Sequence, residues 1–257
     1  MAADRPILWQ LPVSHFNEKV RWALDYKGIE HERCSVVPGY HQFKAWRLSG
    51  GKTLPVLELQ GRRIRNSSDI VAALEQYKPD PALYPSDPAE RSAALEAEAF
   101  FDPLGHEVRR VLFQELLQDP ALFVETFYVG QPEIVKRGAQ AGFAFARPVL
   151  RRNYGVNPET AVRARDKVTA ALDRIEQDLE PSGFLVGDSF SIADLTAAAI
   201  LFPLVAPKEY PYPFPDPARW PAGPRRFRES VRDRPGFRWV EDIWQRHRSA
   251  SAELVAA

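Results

Sequence analysis

Ser14 occupies a position where a hydroxyl could do chemistry. It follows the apolar run at residues 7–11, and Phe16, Val20 and Leu24 recur after it at helical spacing. We therefore predict that a strand ends near residue 12 and that a helix begins near Ser14. Helix N-termini carry free backbone N–H groups that attract anions. Ser14 is thus either a helix cap alone or a hydroxyl directed at a ligand.

A second group of polar residues stands at the start of another predicted helix. Asn66, Ser67 and Ser68 come just before the apolar positions of a helix that runs to about residue 77. Their side chains can cap that helix, and the N–H groups beside them can bind an anion. The two roles can coexist at one site.

The elements that must position these residues alternate between strand and helix over the first eighty residues. Pro55 lies inside a predicted strand at 54–59 and must sit where the sheet needs no N–H donor. The other segments are a β-rich stretch at 31–37, a tight turn at Gln60–Gly61, a short strand at 62–65 and the helix at 70–77. The order βαβ, loop or helix, then ββα predicts a mixed sheet with a parallel half and an antiparallel half.

A proline-rich linker and a helical region follow. The segment KPDPALYPSDP contains four prolines and cannot continue a helix. Beyond it, apolar steps of three and four predict a helix at 97–117, bent at Pro103. Ser191 and Asp194 form a capping-box pattern. Further helices are predicted around 132–151, 158–180, 191–204, 224–233 and 236–248, with a proline-rich loop at 203–224.

The predicted fold is therefore an α/β domain followed by an all-α domain. We place the α/β domain at 1–78, the linker at 79–88 and the all-helical domain at 89–257. With 257 residues and 45% hydrophobic residues, the chain is long enough for a large core and for two domains.

Composition argues against several function classes. The 34 basic and 34 acidic residues balance, which favours neither nucleic acid nor an anionic membrane as a partner. The single cysteine, Cys34, excludes an internal disulfide, and the histidines lack metal-site spacing, so we expect no metal. No signal pattern and no apolar run of membrane-spanning length is evident. We therefore expect a soluble cytoplasmic protein.

Four motifs, in this order, resemble the cytosolic glutathione S-transferase family. They are SHFNEKVRWAL, TLPVLEL, RNSSDIVAAL and FLVGDSFSIADL. The resemblance covers about residues 7–205. It implies a thioredoxin-like N-terminal domain that binds glutathione as co-substrate, a helical C-terminal domain, a homodimer and a role in detoxification.

The resemblance also implies roles for particular residues. Ser14 matches the position of a catalytic residue that stabilises the thiolate of glutathione, and Asn17 is a second donor that could assist or replace it. A cis Leu54–Pro55 bond would turn the Leu54 backbone toward the ligand as if toward an added strand. The other glutathione-binding candidates are Asn66 and Ser67 for the γ-glutamyl group, and Lys44 or Lys52 for the glycine carboxylate. Asn66 stands where the family usually has an acidic residue.

An electrophilic acceptor would bind between the two domains. Phe101, His106 and Arg109 are the candidates for its pocket, although Phe101 alternatively belongs to the helical core and the other two to the solvent-exposed surface. Two functions remain open. The chain is either a transferase that conjugates glutathione, or a related small thiol, to an electrophile, or a non-catalytic ligand-binding or scaffold protein of the same fold.

Overall fold

The computed structural model describes residues 5–248 and 250–254. The first part of the chain forms a four-stranded sheet in the order β2-β1-β3-β4, with β1 parallel to β2 and antiparallel to β3. Its elements are β1 Ile7–Gln10, α1 His15–Tyr26, β2 Glu32–Ser35, α2 His41–Ser49, β3 Val56–Leu59, β4 Arg62–Arg65 and α3 Ser67–Tyr77. The mixed sheet agrees with the predicted order of elements.

The rest of the described chain is helical. These helices are α4 Pro88–Phe101, α5 Leu104–Leu116, α6 Pro120–Phe127, α7 Glu133–Ala141, α8 Phe143–Asn153, α9 Pro158–Asp178, α10 Ile192–Val205, α11 Ala222–Val231 and α12 Pro235–His247. α10 is buried along its whole length and packs against α1, α4, α5 and α12. A continuous apolar core therefore joins the sheet domain to the helices.

Local sequence signals explain several boundaries. Gln60 and Gly61 both have positive φ, at 51° and 73°, as a tight hairpin turn between β3 and β4 requires. The capping box at the start of α10 is present: the Asp194 carboxylate accepts from the Ser191 backbone N–H at 2.9 Å. The Leu54–Pro55 peptide is cis, as the resemblance implies.

Two predicted helices are each divided in two. The helix expected at 97–117 is broken between α4 and α5, because Pro103 has no N–H with which to continue the hydrogen-bond ladder. The helix expected at 132–151 is interrupted at Gly142, between α7 and α8. Helix α6 was not predicted, although Asp119 before Pro120 is a helix-start signal.

The segment between α3 and α4 is held in place. Lys27, the residue just after α1, donates to the carbonyl oxygens of Lys78, Pro79 and Pro81, and Leu83 and Tyr84 are buried. This proline-rich segment is therefore packed against the first domain. No helix in the described part of the chain is both long and apolar enough to cross a bilayer.

Candidate functional site

The loop between β1 and α1 is fixed by one side chain of α1 and by one from a distant part of the chain. The Pro12 carbonyl oxygen accepts from the Arg21 guanidinium at 2.9 Å and from the Tyr210 hydroxyl at 2.5 Å. Arg21 is fully buried and forms an ion pair with Glu18 at 2.6 Å. The position of Ser14 therefore depends on α1 and on the proline-rich segment after α10.

Ser14 is the N-cap residue of α1, but its hydroxyl does not cap the helix. Its backbone is extended, with φ −157° and ψ 124°, and the side chain makes no capping hydrogen bond. Instead, the Asn17 side-chain amide donates to Ser14 Oγ at 2.7 Å. Because Oγ accepts this bond, its own proton remains available for donation to a ligand.

Ser14 borders a largely apolar cavity of about 200 Å³ between the sheet domain and the helices. Its walls come from the loops after β1 and β2 and from α5, α6, α7, α8 and α10. The aromatic lining residues are Phe113, Phe123, Phe127, Tyr128, Phe143, Tyr154, Phe202 and Phe214. A cavity of this kind suits a small apolar ligand that is oriented by a few polar groups.

The polar groups at this cavity are Ser14, His15, His41 and Arg109, with the Thr126 and tyrosine hydroxyls. Burial, with a smaller contribution from the charge of Arg109, lowers the pKa of His15 well below its usual value and also lowers the pKa of His41. Both imidazoles are therefore neutral at pH 7.

The His15 ring packs closely on α5. A methyl group added at Gly105 would come within 2.5 Å of His15 Nε2, so the close contact between α1 and α5 depends on glycine at this position. His15 Nε2 has no hydrogen-bond partner among the residues that the structure describes. Its ring also contacts Phe16, with the centroids 4.5 Å apart.

A second set of polar groups surrounds the start of α3. Asn66 has φ 70°, and its Oδ1 caps the helix by accepting from the Ser68 N–H at 2.9 Å. Ser67 is buried, and its hydroxyl lies 3.4 Å from Asp102 Oδ1. The backbone N–H and C=O of Leu54 make no hydrogen bond with any described residue. They are therefore free to pair with an extended peptide.

The two candidate lysines lie in different surroundings. Lys44 Nζ lies 3.7 Å from the centroid of the Trp9 ring, a cation–π contact. Lys52 is exposed in the loop between α2 and β3. The structure describes no cluster of three or more His, Cys, Asp or Glu residues that could hold a metal ion within residues 5–248 and 250–254.

Two family models match this chain, one in each part of the fold. The glutathione S-transferase N-terminal domain matches residues 8–82, and the glutathione S-transferase C-terminal domain matches residues 139–229. The chain belongs to the glutathione S-transferase family.

Individual relatives share only part of the sequence of this chain. A maleylacetoacetate isomerase of Rattus norvegicus is 35% identical over 100 residues, which are 36% of this chain and 45% of that protein. Glutathione S-transferase TCHQD of Arabidopsis thaliana is 25% identical over 213 residues, or 76% of this chain and 75% of that protein. The matched region therefore spans less than half of the isomerase.

Among solved structures, a glutathione S-transferase of Methylobacterium radiotolerans in complex with glutathione sulfonate has a TM-score of 0.57. It is 23% identical and covers 98% of each chain. This likeness shows that the glutathione S-transferase fold extends over nearly the whole chain, including its α/β and all-helical parts.

Within the glutathione S-transferase fold, the structure separates the three predicted pocket residues. Arg109 lines the cavity. Phe101 is fully buried in the core, because the break at Pro103 leaves it on α4 rather than α5. His106 is exposed and contacts Phe16, with ring centroids 5.4 Å apart. Asn17 is fully buried, so it reaches the cavity only through Ser14.

Sequence reasoning missed several residues of this site. Tyr210 and Arg21 hold the loop before Ser14, and Tyr128, Phe143 and Tyr154 line the cavity. The proline-rich segment contained a signal that could have found Tyr210. Its aromatic residues at 210, 212 and 214 are unusual in an exposed connecting loop and indicate that the segment packs against the rest of the protein.

Proposed function

We propose that this chain is a glutathione transferase-like enzyme that uses Ser14 to stabilise the thiolate of glutathione or a related small thiol. The observation that carries the proposal is the Ser14 hydroxyl, which borders the cavity and accepts from Asn17 instead of capping α1. Its proton is therefore available for a sulfur at the N-terminus of α1.

The residues around the start of α3 fit the rest of the thiol peptide. In the proposed pose, the free Leu54 backbone pairs with the cysteinyl unit, and the γ-glutamyl carboxylate meets Ser67 and the N-terminus of α3. Lys44 or Lys52 would meet the glycine carboxylate. Asn66 contributes a neutral amide toward the ammonium group. Asp102, beside Ser67, is already paired with Lys19 at 2.8 Å. It therefore replaces only part of the negative charge that Asn66 lacks.

The proposed reaction is a substitution or an addition at an electrophilic carbon. Ser14 donates to the sulfur and lowers the pKa of the thiol, whose proton passes to solvent. The thiolate attacks the carbon and forms a C–S bond. In a substitution, the bond to the leaving group breaks and the leaving group takes its electron pair. In an addition, the π bond of the electrophile breaks, and its electron pair forms a C–H bond with a proton from solvent. The N-terminus of α1 adds to the stabilisation of the anion.

The test is a pH–rate profile of conjugation for the wild type, Ser14→Ala and Ser14→Cys. Loss of one hydrogen bond to a charged group is worth about 1.5–3 kcal/mol, which is roughly a tenfold to hundredfold loss of rate at neutral pH. Ser14→Ala should recover most of this loss at higher pH, where the thiol ionises unaided. Ser14→Cys should lose conjugation and gain disulfide exchange, since a thiol at a helix N-terminus has a lowered pKa.

Ser191→Ala is the matched control, because Ser191 is also an N-cap serine but lies at the buried start of α10. It should lower stability without shifting the pH–rate profile. A profile of Ser14→Ala that coincides with that of the wild type, together with no exchange activity in Ser14→Cys, would contradict the proposal.

The second candidate function is non-catalytic ligand binding, which the neutral Asn66 favours. It would show as calorimetric binding of an apolar ligand without turnover of any electrophile by the wild type. We also propose that the chain forms a homodimer. A monomeric mass in light scattering at micromolar concentration would contradict that proposal.

A further inference from the structure

Arg109 is a cation without a carboxylate partner at the wall of the apolar cavity. Its guanidinium lies over the Tyr154 ring, 4.7 Å from the centroid. Among the described residues, no Asp or Glu oxygen comes within 4.0 Å of it. The next residue, Arg110, shows the usual arrangement and pairs with Glu107 at 2.8 Å.

The groups around Arg109 do not compensate its charge. Burial, followed by the charge of Arg109, lowers the pKa of His15 and His41. These two rings are therefore neutral at pH 7, and the other walls of the cavity are mainly aromatic and aliphatic. A guanidinium stays charged under all ordinary conditions. The cavity thus presents one positive charge in an apolar setting, where an opposite charge is held far more strongly than in water.

We propose that the acceptor substrates of this site carry a carboxylate beside an apolar body, and that Arg109 selects them by binding the carboxylate. This inference rests on the proposed function. The planar guanidinium fits a carboxylate through two parallel hydrogen bonds, and the Phe113, Phe123 and Phe143 side chains contact the apolar body. A cavity of about 150 Å³ holds a benzene ring, so about 200 Å³ accommodates a single ring with a small acidic substituent.

The experiment compares two electrophiles of nearly the same shape, the anionic 4-(chloromethyl)benzoate and the neutral 4-(chloromethyl)benzamide. In both, the thiolate forms a C–S bond while the C–Cl bond breaks and chloride leaves with its electron pair. The wild type should prefer the benzoate in kcat/KM by about tenfold to hundredfold. Arg109→Gln should lower kcat/KM for the benzoate to about the value for the benzamide, and Arg109→Lys should keep part of the preference. The matched control Arg110→Gln, next in the chain but paired with Glu107, should keep the preference of the wild type.

A direct binding measurement separates this proposal from the proposed function. Calorimetric titration with 4-methylbenzoate and 4-methylbenzamide, without any thiol, should show the same preference in the wild type and its loss in Arg109→Gln. Equal binding of the two ligands by the wild type would overturn the Arg109 proposal even if conjugation occurs. Preference for the benzoate without any conjugation would overturn the proposed function and leave the role of Arg109 supported.

An equal loss of kcat/KM for both electrophiles in Arg109→Gln would also overturn the proposal, since Arg109 would then act on the thiolate or on the packing of α5. The melting temperature identifies a folding defect. Arg109→Gln loses the contact with the Tyr154 ring but also removes an unpaired charge from an apolar wall, so it should change the melting temperature by no more than a few degrees. A larger fall would mean that Arg109 mainly holds the fold together, which would contradict this proposal.

Discussion

Lys19 provides a stringent test of how the two parts of the fold are joined. Its ammonium group is fully buried and lies 2.8 Å from Glu98 Oε1, 2.8 Å from Asp102 Oδ1 and 2.9 Å from Ser68 Oγ. Lys19 is on α1, whereas Glu98 is on α4 and Asp102 follows it. One side chain therefore connects the sheet domain to the helical domain.

Lys19→Met keeps the length of the side chain and removes its charge. The Glu98 side chain is only 8% exposed, so it would be left as an uncompensated buried carboxylate, and breaking such a pair costs about 3–5 kcal/mol. The Asp102 side chain is 25% exposed and can turn to water, so it adds little. Because total stability is roughly 5–15 kcal/mol, we expect a large shift in the urea midpoint, followed by tryptophan fluorescence.

The matched control is Lys167→Met. Lys167 also lies 2.8 Å from a glutamate, Glu107, but the Lys167 side chain is 60% exposed and Glu107 keeps Arg110 as a second partner at 2.8 Å. An ion pair with one such exposed partner contributes only about 0–1 kcal/mol. The double variant Lys19→Met/Glu98→Gln should regain most of the stability lost by Lys19→Met, because it removes the stranded charge. Similar costs for Lys19→Met and Lys167→Met would refute the reasoning, because burial would then not determine the strength of the pair.

Two further predictions concern helix N-termini. Asn66→Asp keeps the cap on Ser68 and adds a charge-assisted hydrogen bond to the ammonium of glutathione, about twice as strong as a neutral one; calorimetry should show tighter binding, and equal or weaker binding would contradict the proposed pose. Burial raises the pKa of Asp194 to about 6. The folded state therefore holds this proton over a range in which the unfolded chain has lost it, and the contribution of Asp194 to stability falls by roughly 3 kcal/mol as the pH rises from about 4 to 6. Asp194→Asn should remove this pH dependence from the free energy of unfolding, measured by urea unfolding at a series of pH values. If the free energies of the wild type and Asp194→Asn changed in parallel with pH, Asp194 would not be the source of the pH dependence.

The parts of the fold that could be predicted from the sequence are those determined by near neighbours. The junction at Ser14, the Gln60–Gly61 turn and the Ser191–Asp194 cap each depend on residues within one turn or one hairpin. The prediction was wrong at Pro103, which was expected to bend one helix but instead separates two helices. Pro103 divides the expected helix, and this difference moves Phe101 from the pocket into the core.

The environment of Ser14 could not be predicted because its contacts are distant in sequence. Tyr210 reaches Pro12 across 198 positions and Arg21 across 189, and no local pattern encodes such pairs. The segment after α10 was predicted as a connecting loop, yet its Tyr210 and Tyr212 surround Arg21 and bond to Pro12 and Gln10. These contacts come from the helical half of the chain and hold the loop that positions Ser14. The candidate thiolate site is therefore assembled by both domains, although Ser14 and Asn17 belong to the first. Because the same segment also supplies Phe214 to the cavity wall, the segment that holds the loop of Ser14 also shapes the space for the acceptor.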